Sequence, residues 1–240
     1  MVVWAEQDPA EVEAQEDRGV MILAEVDRAQ AVAEDFTATL ELTTRSRSGA
    51  EESRTMRVWQ KGRNQRMVKL TAPARLRGVG LLAQDEGQLY IYLPSMGRVR
   101  RVAGQQRGEP FLGSNFTQDD LTRTNYGERF RPELIEESEE QWRVKLVPRK
   151  PDEEPYAYLI LEVRKGDHQV AKIDVFEEGE AEPVRRIEAR DFREVQGQWL
   201  AFEVEAVDLR RGSRSVAVLS EVEVNGGLED SIFTQRYLQR

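Results

Sequence analysis

Residues 36–43 read Phe-Thr-Ala-Thr-Leu-Glu-Leu-Thr, and in this stretch apolar and polar side chains alternate without interruption. Successive side chains of a β-strand point to opposite faces of the sheet, so the alternation predicts a strand with one buried and one exposed face. Similar stretches, separated by turn residues such as Gly62-Arg63-Asn64 and Arg211-Gly212, recur as far as Val224. Short strands at this spacing are typical of an antiparallel meander, and we expect about eleven of them.

Two segments interrupt the alternation. Residues 19–33 carry apolar residues at helical spacing together with alanine and glutamate, which predicts one amphipathic helix. Residues 94–131 contain glycines, Pro110 and few alternating apolar positions. A break of this length in a β-protein is usually a functional loop or lid, although it also suits a segment that merely covers one end of the sheet. The polar residues 1–18 are expected to form a flexible lead-in, and residues 19–240 a single domain.

The composition narrows the class of protein. A chain of 240 residues can bury a sizeable core, and its net charge of −9 argues against non-specific binding to nucleic acid, because phosphate is repelled. A membrane-spanning helix needs about eighteen or more consecutive apolar residues, and the sequence has no such stretch, so no transmembrane segment is expected. The apolar run of residues 1–5 fits the remainder of a removed or truncated signal peptide as well as the start of a cytosolic protein.

The residues that common enzyme chemistries require are missing from the sequence. It has no cysteine, and its one histidine, His168, follows a Gly-Asp turn, which excludes a cysteine nucleophile and a histidine metal cluster. There is no Gly-x-Ser-x-Gly elbow, no P-loop and no dinucleotide-binding alternation of strands with helices. The acidic run 136–140 fits a solvated hairpin better than a glycosidase pair or a calcium loop. We therefore expect a protein that is not an enzyme and that has no metal or other cofactor.

Three stretches, taken in order along the chain, resemble one family. They are LYIYLPSMGRVRR at residues 89–101, FLGSNFTQDDL at 111–121 and DSIFTQRYL at 230–238. The combination resembles the LolA-like family of outer-membrane lipoprotein-sorting proteins, whose members show LYLP…RVRR, then F-[ML]-G-S-D-F-[ST]-x-x-D-L and finally F-[ST]-x-R-x-L. The resemblance extends from about Ala24 to the end of the chain. Asn115 departs from the pattern, since the family more often has aspartate at this position. The difference puts in question any role of this residue that needs a charge, but it does not affect the expected fold.

The resemblance implies a mainly β fold, in which a strongly curved antiparallel sheet forms an incomplete, half-open barrel. The N-terminal helix and the mid-chain segment then cover the concave face. The resemblance also implies a periplasmic location and an apolar cavity for acyl chains. The partners that it implies are a lipid or a lipidated protein as cargo, with an inner-membrane exporter or an outer-membrane acceptor; it leaves the identity of the cargo open.

The candidate cavity residues are the apolar alternates of the predicted strands. Because side chains can also fill the interior of a barrel, a solid core made of the same residues is the alternative. The candidates are Phe36, Leu40, Met56, Val58, Val68, Leu70, Leu81, Leu89, Ile91, Leu93, Trp142, Val144 and Leu146.

Two further groups are candidates for the mouth of the cavity and for a contact surface. The mid-chain residues Phe111, Gly113, Phe116 and Leu121 suit a movable lid or, alternatively, a static hydrophobic staple. Three arginines close together in the sequence suit a contact with a lipid headgroup or an acidic partner, or, alternatively, an ordinary solvated strand face. They are Arg98, Arg100 and Arg101.

Two functions of different classes remain open at this point. The first is a periplasmic carrier that binds a lipid or a lipoprotein acyl chain for transport toward the outer membrane. The second is a non-enzymatic periplasmic module, associated with a membrane exporter, that binds a protein along a sheet edge or through the arginines.

Overall fold

A computed structural model describes residues 9–31, 34–84, 87–123 and 125–240 of the chain. Thirteen antiparallel strands in this part of the chain form one sheet. The strands are β1 (Asp35–Arg45), β2 (Glu51–Lys61), β3 (Gln65–Ala72), β4 (Gly80–Gln84), β5 (Gln88–Leu93), β6 (Arg98–Val102), β7 (Phe130–Glu137), β8 (Gln141–Pro148), β9 (Tyr158–Arg164), β10 (Val170–Phe176), β11 (Arg185–Val195), β12 (Gln198–Asp208) and β13 (Ser213–Val224).

The sheet is a meander with one exceptional pairing, in which the first strand lies beside the last. Strands β1 to β6 pair in sequence, strands β7 to β13 do the same, and β1 pairs with β13 in the middle of the sheet. The register places Leu40 of β1 between Met56 of β2 and Leu219 of β13. The edges are therefore β6 and β7, which are consecutive in the chain but do not pair, so the sheet is an open half-barrel.

The fold class expected from the sequence is confirmed, but the strand count exceeds the expected eleven. One reason is β6, which lies inside the segment 94–131 that we expected to be irregular. Its sequence, Arg-Val-Arg-Arg-Val, lacks regular apolar alternation, because an edge strand is only partly covered and tolerates charged side chains. The alternation rule therefore identifies covered strands and misses this edge strand.

In the described part of the chain, three α-helices accompany the sheet: α1 (Pro9–Gln30), α2 (Gln118–Thr122) and α3 (Gln235–Leu238). The first helix starts and ends earlier than the predicted range 19–33. Residues 9–18 are rich in alanine and glutamate, which favour a helix, and proline suits the first helical position. Of the expected flexible lead-in, residues 1–8 lie outside the described part of the chain.

Helix α1 is fixed to the sheet along its side and at its C-terminal end. Its buried residues Ile22, Leu23 and Val26 belong to an apolar cluster with residues of β7 to β10. At its end, three glutamine side chains satisfy backbone carbonyls that a helix leaves without partners. Gln60 donates to the carbonyl oxygen of Gln30 at 3.2 Å, and Gln169 and Gln198 donate to that of Ala29 at 3.2 and 2.8 Å.

The remaining buried apolar residues form two clusters on opposite faces of the sheet. The larger one joins β1–β6, β11–β13 and the mid-chain segment on the concave side, and includes Phe36, Met56 and Phe111. The smaller one lies on the other side, where the C-terminal segment covers strands of the N-terminal half with Phe233 and Leu238. The C-terminal motif noted in the sequence is therefore a packing element.

A buried carboxylate joins the start of β1 to the segment that follows β13. Asp35, at the start of β1, accepts hydrogen bonds from the backbone N–H groups of Gly226, Gly227 and Leu228 at 2.7, 2.8 and 2.6 Å. Gly227 has a φ of +80°, a conformation that glycine adopts at little cost and that turns successive N–H groups toward one anion. The carboxylate therefore fixes the point at which the chain leaves β13 for the C-terminal segment.

We expect Asp35→Ala to lower the free energy of unfolding by roughly 1–3 kcal/mol, because hydrogen-bond donors lose a charged acceptor. Chemical denaturation followed by circular dichroism measures the difference. Asp230→Ala is the matched control, since this carboxylate lies nearby in the C-terminal segment but its side chain is 84% exposed. Equal stabilities of the two variants would contradict the role given to Asp35.

Candidate functional site

A partly enclosed cavity of about 260 Å³ lies on the concave face, between the sheet, the end of α1 and α2. Its wall comes from β1–β3 on one side and β10–β13 on the other, because the pairing of β1 with β13 places these strands side by side. Most of the side chains in the wall are apolar. A concave, largely apolar site with a few polar groups is the usual form of a small-molecule pocket.

The structure brings some of the predicted residues together at this cavity. Four of the proposed cavity residues and two of the proposed lid residues contribute to its wall: Phe36, Leu40, Val58, Val68, Phe116 and Leu121. They come from β1, β2, β3 and the segment between β6 and β7. The alternation of strand residues therefore selected the correct face of the N-terminal strands.

The other proposed cavity residues lie elsewhere. Six of them pack within the concave cluster outside the cavity wall, where the mid-chain segment covers the strands: Met56, Leu70, Leu81, Leu89, Ile91 and Leu93. Three more belong to the cluster under α1: Trp142, Val144 and Leu146. These nine side chains pack in filled cores, as in the alternative of a solid interior. Which part of the concave face stays open depends on where other segments of the chain cover it.

The part of the wall that β10–β13 supply was not among the predicted cavity residues. Ile173, Ile187, Leu200, Val204 and Leu219 line the cavity. Their strands were predicted, and their alternation is visible in the sequence. What the sequence did not reveal was the pairing of β1 with β13, which places Leu219 directly beside Leu40.

The lid candidates lie in a tightly folded segment between β6 and β7. Phe111, Phe116 and Leu121 are buried, and the N–H of Phe111 donates to the carbonyl of Phe116 at 2.8 Å. Gly113, with a φ of +77°, makes the turn that allows this contact. Arg54 of β2 donates to the carbonyl oxygen of Leu112 at 2.7 Å and so ties the turn to the sheet.

Asn115, the position that departs from the family pattern, joins this segment to β13. Its side-chain N–H groups donate to the carbonyl and hydroxyl oxygens of Ser213 at 3.2 and 2.9 Å, and its side-chain oxygen accepts from Ser215 at 3.0 Å. An ionised aspartate lacks the N–H donors, so the amide is matched to the two serines. The position therefore serves to attach the segment.

A buried network of charges lies beneath α2. Asp119, with 1% of its surface exposed, forms ion pairs with Arg129, Arg123 and Arg107 at 2.7, 3.0 and 3.4 Å. Asp120 caps the helix in a reciprocal hydrogen-bond pair with Thr117. It also pairs with Arg123 at 3.0 Å and with Arg185 of β11, while Arg129 pairs with Glu154.

The electrostatics of this network keep Asp119 charged. Burial raises the pKa of its carboxyl, but Arg129, Arg123 and Arg107 together outweigh burial and hold that pKa well below its usual range. The network is a structural anchor for the segment above the cavity. The Asp-Asp pair of the family motif is visible in the sequence, but Arg107, Arg129 and Arg185 carry no pattern that would connect them with it.

The three predicted contact arginines do not share one face. In β6, Arg98 and Arg100 stand opposite Leu93 and Ile91 on the concave side of the edge strand, whereas Arg101 stands opposite Tyr90 on the other side. All three are exposed. Because side chains alternate along a strand, the predicted basic patch reduces to Arg98 and Arg100.

His168, the acidic side chains and the helices bear on metal binding and on membrane spanning. His168 lies away from the cavity wall, half-buried and stacked on Trp142 with 5.7 Å between ring centres. In the described parts of the chain, no group of three or more histidine, aspartate or glutamate side chains is placed to hold a metal ion. Among the helices that the structure describes, none has the length and apolar character needed to cross a membrane.

Comparison with known proteins places the chain in a structural context. A family model with the description "-like: Uncharacterized protein" matches residues 62–240. No curated protein matches the chain.

Three solved structures cover nearly all of the chain. A domain from Vibrio parahaemolyticus, named for outer membrane lipoprotein sorting, has a TM-score of 0.84 and 19% identity over 94% of this chain and 100% of its own. A DUF1329 family protein from Desulfovibrio piger has a TM-score of 0.85 and 18% identity, covering 93% and 99%. A LolA superfamily protein from Nitrosomonas europaea has a TM-score of 0.75 and 22% identity, covering 91% and 98%. The resemblance inferred from the motifs is confirmed at the level of the fold.

We expect Asp119→Asn to lower the free energy of unfolding by roughly 3–5 kcal/mol at neutral pH, since it leaves buried arginines without their counter-charge. Because the pKa of Asp119 is lower in the folded than in the unfolded chain, its stabilisation is present above the unfolded pKa and is lost as the pH falls below it. The variant should therefore lose less stability on acidification than the wild type. Denaturation at a series of pH values measures both effects.

Asp191→Asn is the control for this experiment, because its ion pair with Arg193 is exposed to solvent. We expect only a small change for the control. A variant at Asp119 that is as stable as the control, with the wild-type pH dependence, would show that the buried network does not anchor the segment.

Proposed function

The chain belongs to the family whose model matches residues 62–240 and has the fold of the LolA superfamily, and on this basis we propose that it is a periplasmic carrier for a lipid or a lipoprotein acyl chain. The observation that carries the proposal is the apolar cavity on the concave face of the half-barrel. The names of two structural relatives, which refer to lipoprotein sorting and to the LolA superfamily, agree with a role in transport toward the outer membrane.

The energetics of the cavity suit an acyl chain. Each methylene group removed from water contributes about 0.8 kcal/mol, so a chain of roughly ten buried methylenes contributes about 8 kcal/mol before the cost of association is subtracted. No specific chemical step is needed for such binding, in agreement with a protein that is not an enzyme. The release of cargo then requires a change at the cavity mouth rather than a reaction.

The segment between β6 and β7 carries the proposed lid residues and borders the cavity. Phe116 and Leu121 belong to both the mid-chain segment and the cavity wall, so a bound chain would contact this segment. Phe111 and Gly113 form the turn that holds these residues in place. We assign the segment to the cavity mouth, with an inner-membrane exporter as donor and an outer-membrane protein as acceptor.

We expect the purified protein to bind a fluorescent fatty acid, and Leu40→Glu to weaken this binding at least about tenfold, because the variant places a charge in the apolar wall. Leu209→Glu is the matched control, since Leu209 is 42% exposed and does not line the cavity. Fluorescence titration measures affinity, and native mass spectrometry detects lipid retained from the cell. Equal affinities of the two variants would place the binding site elsewhere.

A second function of a different class is favoured by the edge strand β6. Arg98 and Arg100 lie on the same side of this strand, which in the described sheet pairs only with β5. An unpaired strand edge with two exposed cationic side chains suits an acidic protein segment that adds to the sheet. The second candidate is therefore a periplasmic interaction module associated with a membrane exporter.

If this second function holds, we expect a partner retained from membrane extracts to be released by high salt and by Arg98→Glu/Arg100→Glu, because both weaken attraction between exposed charges. Affinity capture followed by mass spectrometry makes the comparison. The control is Arg47→Glu/Arg211→Glu, which reverses two exposed charges in turns of the sheet. A partner that is retained equally by both double variants, at low and high salt, would exclude the arginine pair as the contact.

A further inference from the structure

An arginine without a partner lies in the wall of the apolar cavity. Arg66 is on β3, where it pairs with Gln60 of β2 and Ala83 of β4. Strand alternation turns Met67 to the opposite face and leaves Arg66 on the same side as Val68, which also lines the cavity. A guanidinium group therefore stands among apolar neighbours on the concave face.

The guanidinium of Arg66 is unpaired within residues 9–31, 34–84, 87–123 and 125–240. Its Nε is buried and has no hydrogen-bond acceptor in these ranges. Burial lowers the pKa of Arg66 to about 10, with no nearby charge to offset it. The side chain remains positively charged at neutral pH, because this value lies well above 7. The residue as a whole is only partly buried, but buried polar atoms normally have hydrogen-bond partners, so the unsatisfied Nε calls for an explanation.

The other charged groups in the wall already have partners. Asp120 pairs with Arg123 and Arg185, and Lys172 pairs with Glu162 at 2.8 Å. Three of the four glutamines that line the cavity donate to the carbonyls at the end of α1. Of the charged side chains described in the wall, Arg66 is thus the one whose charge is not compensated by the protein.

We propose that the cavity binds a free fatty acid, whose carboxylate is held by Arg66 and whose alkyl chain lies against the apolar wall. The inference rests on the proposed carrier function and narrows it to a free anionic lipid rather than a protein-linked acyl chain. The planar fork of a guanidinium group matches the two oxygens of a carboxylate. A phosphate monoester carries more charge and would need a further unpaired cation.

The size of the cavity agrees with a single chain. Ligand pockets for small molecules usually have volumes of roughly 300–1,000 Å³, and this cavity of about 260 Å³ lies just below that range. The wall contains five alanines, and three of them, on β11–β13, leave space where larger side chains would close the cavity: Ala189, Ala201 and Ala217. One alkyl chain fits such a space better than the paired chains of a phospholipid.

The test compares the binding of palmitate, cetyl alcohol and palmitoyl lysophosphatidate to the wild type and to Arg66→Met, by displacement of a fluorescent probe at neutral pH. We expect the wild type to bind palmitate at least about tenfold more tightly than cetyl alcohol, because one charge-assisted carboxylate contact distinguishes them. In Arg66→Met, the affinity for palmitate should fall to that for the alcohol, while the affinity for the alcohol stays the same.

Controls separate a binding role of Arg66 from a structural one. We expect the melting temperature of Arg66→Met to equal or exceed that of the wild type, because an unpaired, partly buried charge is removed. Arg66→Gln is a second variant with the same expected loss of preference, in case the first does not fold. Arg47→Met changes an exposed arginine in the turn after β1 and should leave all three affinities unchanged.

The outcomes distinguish the inference from the function on which it rests. If the wild type binds palmitate and cetyl alcohol equally, or if both Arg66 variants keep the preference for palmitate, the assignment of Arg66 is wrong while the carrier function stands. Tighter binding of lysophosphatidate than of palmitate would overturn the choice of a carboxylate. If the wild type binds none of the three compounds, the carrier function and the inference fail together.

Discussion

The pairing of β1 with β13 determines where the sheet is open. Because the first and last strands meet in the middle, the free edges belong to β6 and β7, and the chain between them must cross from one edge to the other. A curved sheet that does not close leaves an apolar concave face, which needs a cover in water. The crossing segment and α1 supply that cover, and the cavity is the part of the concave face that they leave unfilled.

The crossing segment is held in one position by charge rather than by apolar packing alone. A buried ion pair adds little net stability, since desolvation of both partners offsets their attraction, but the separation of its partners is strongly unfavourable. Asp119 has three arginine partners, and Asp120 connects α2 to Arg185 of β11. A displaced segment would leave several of these charges without partners, so the network specifies one placement of the segment over the cavity.

The sequence predicted the fold more completely than the site, for a physical reason. Alternation along a covered strand reports which residues face the core, and this information is local. It placed Phe36 and Leu40 on the correct face but failed for β6, whose exposed arginines carry no such pattern. Which part of the concave face remains open depends on contacts between distant segments, such as Leu40 beside Leu219 or Arg54 on Leu112. Those contacts have no periodic signature, so Leu81 and Leu146 were assigned to the cavity although they belong to filled clusters.

Two features of the cavity depart from the rules that a protein core follows. Cores are close-packed, yet the wall presents Ala189 and Ala201 to an open space. Cores also pair their charges, yet Arg66 is partly buried, with a buried Nε and no counter-charge among the described residues. Either feature alone reduces stability, and larger apolar side chains at the same positions would remove both. Departures of this kind are expected where a sequence serves binding rather than stability. The unfilled space and the unpaired positive charge lie in the same cavity. A single ligand with an alkyl chain and an anionic head would fill the space and pair the charge.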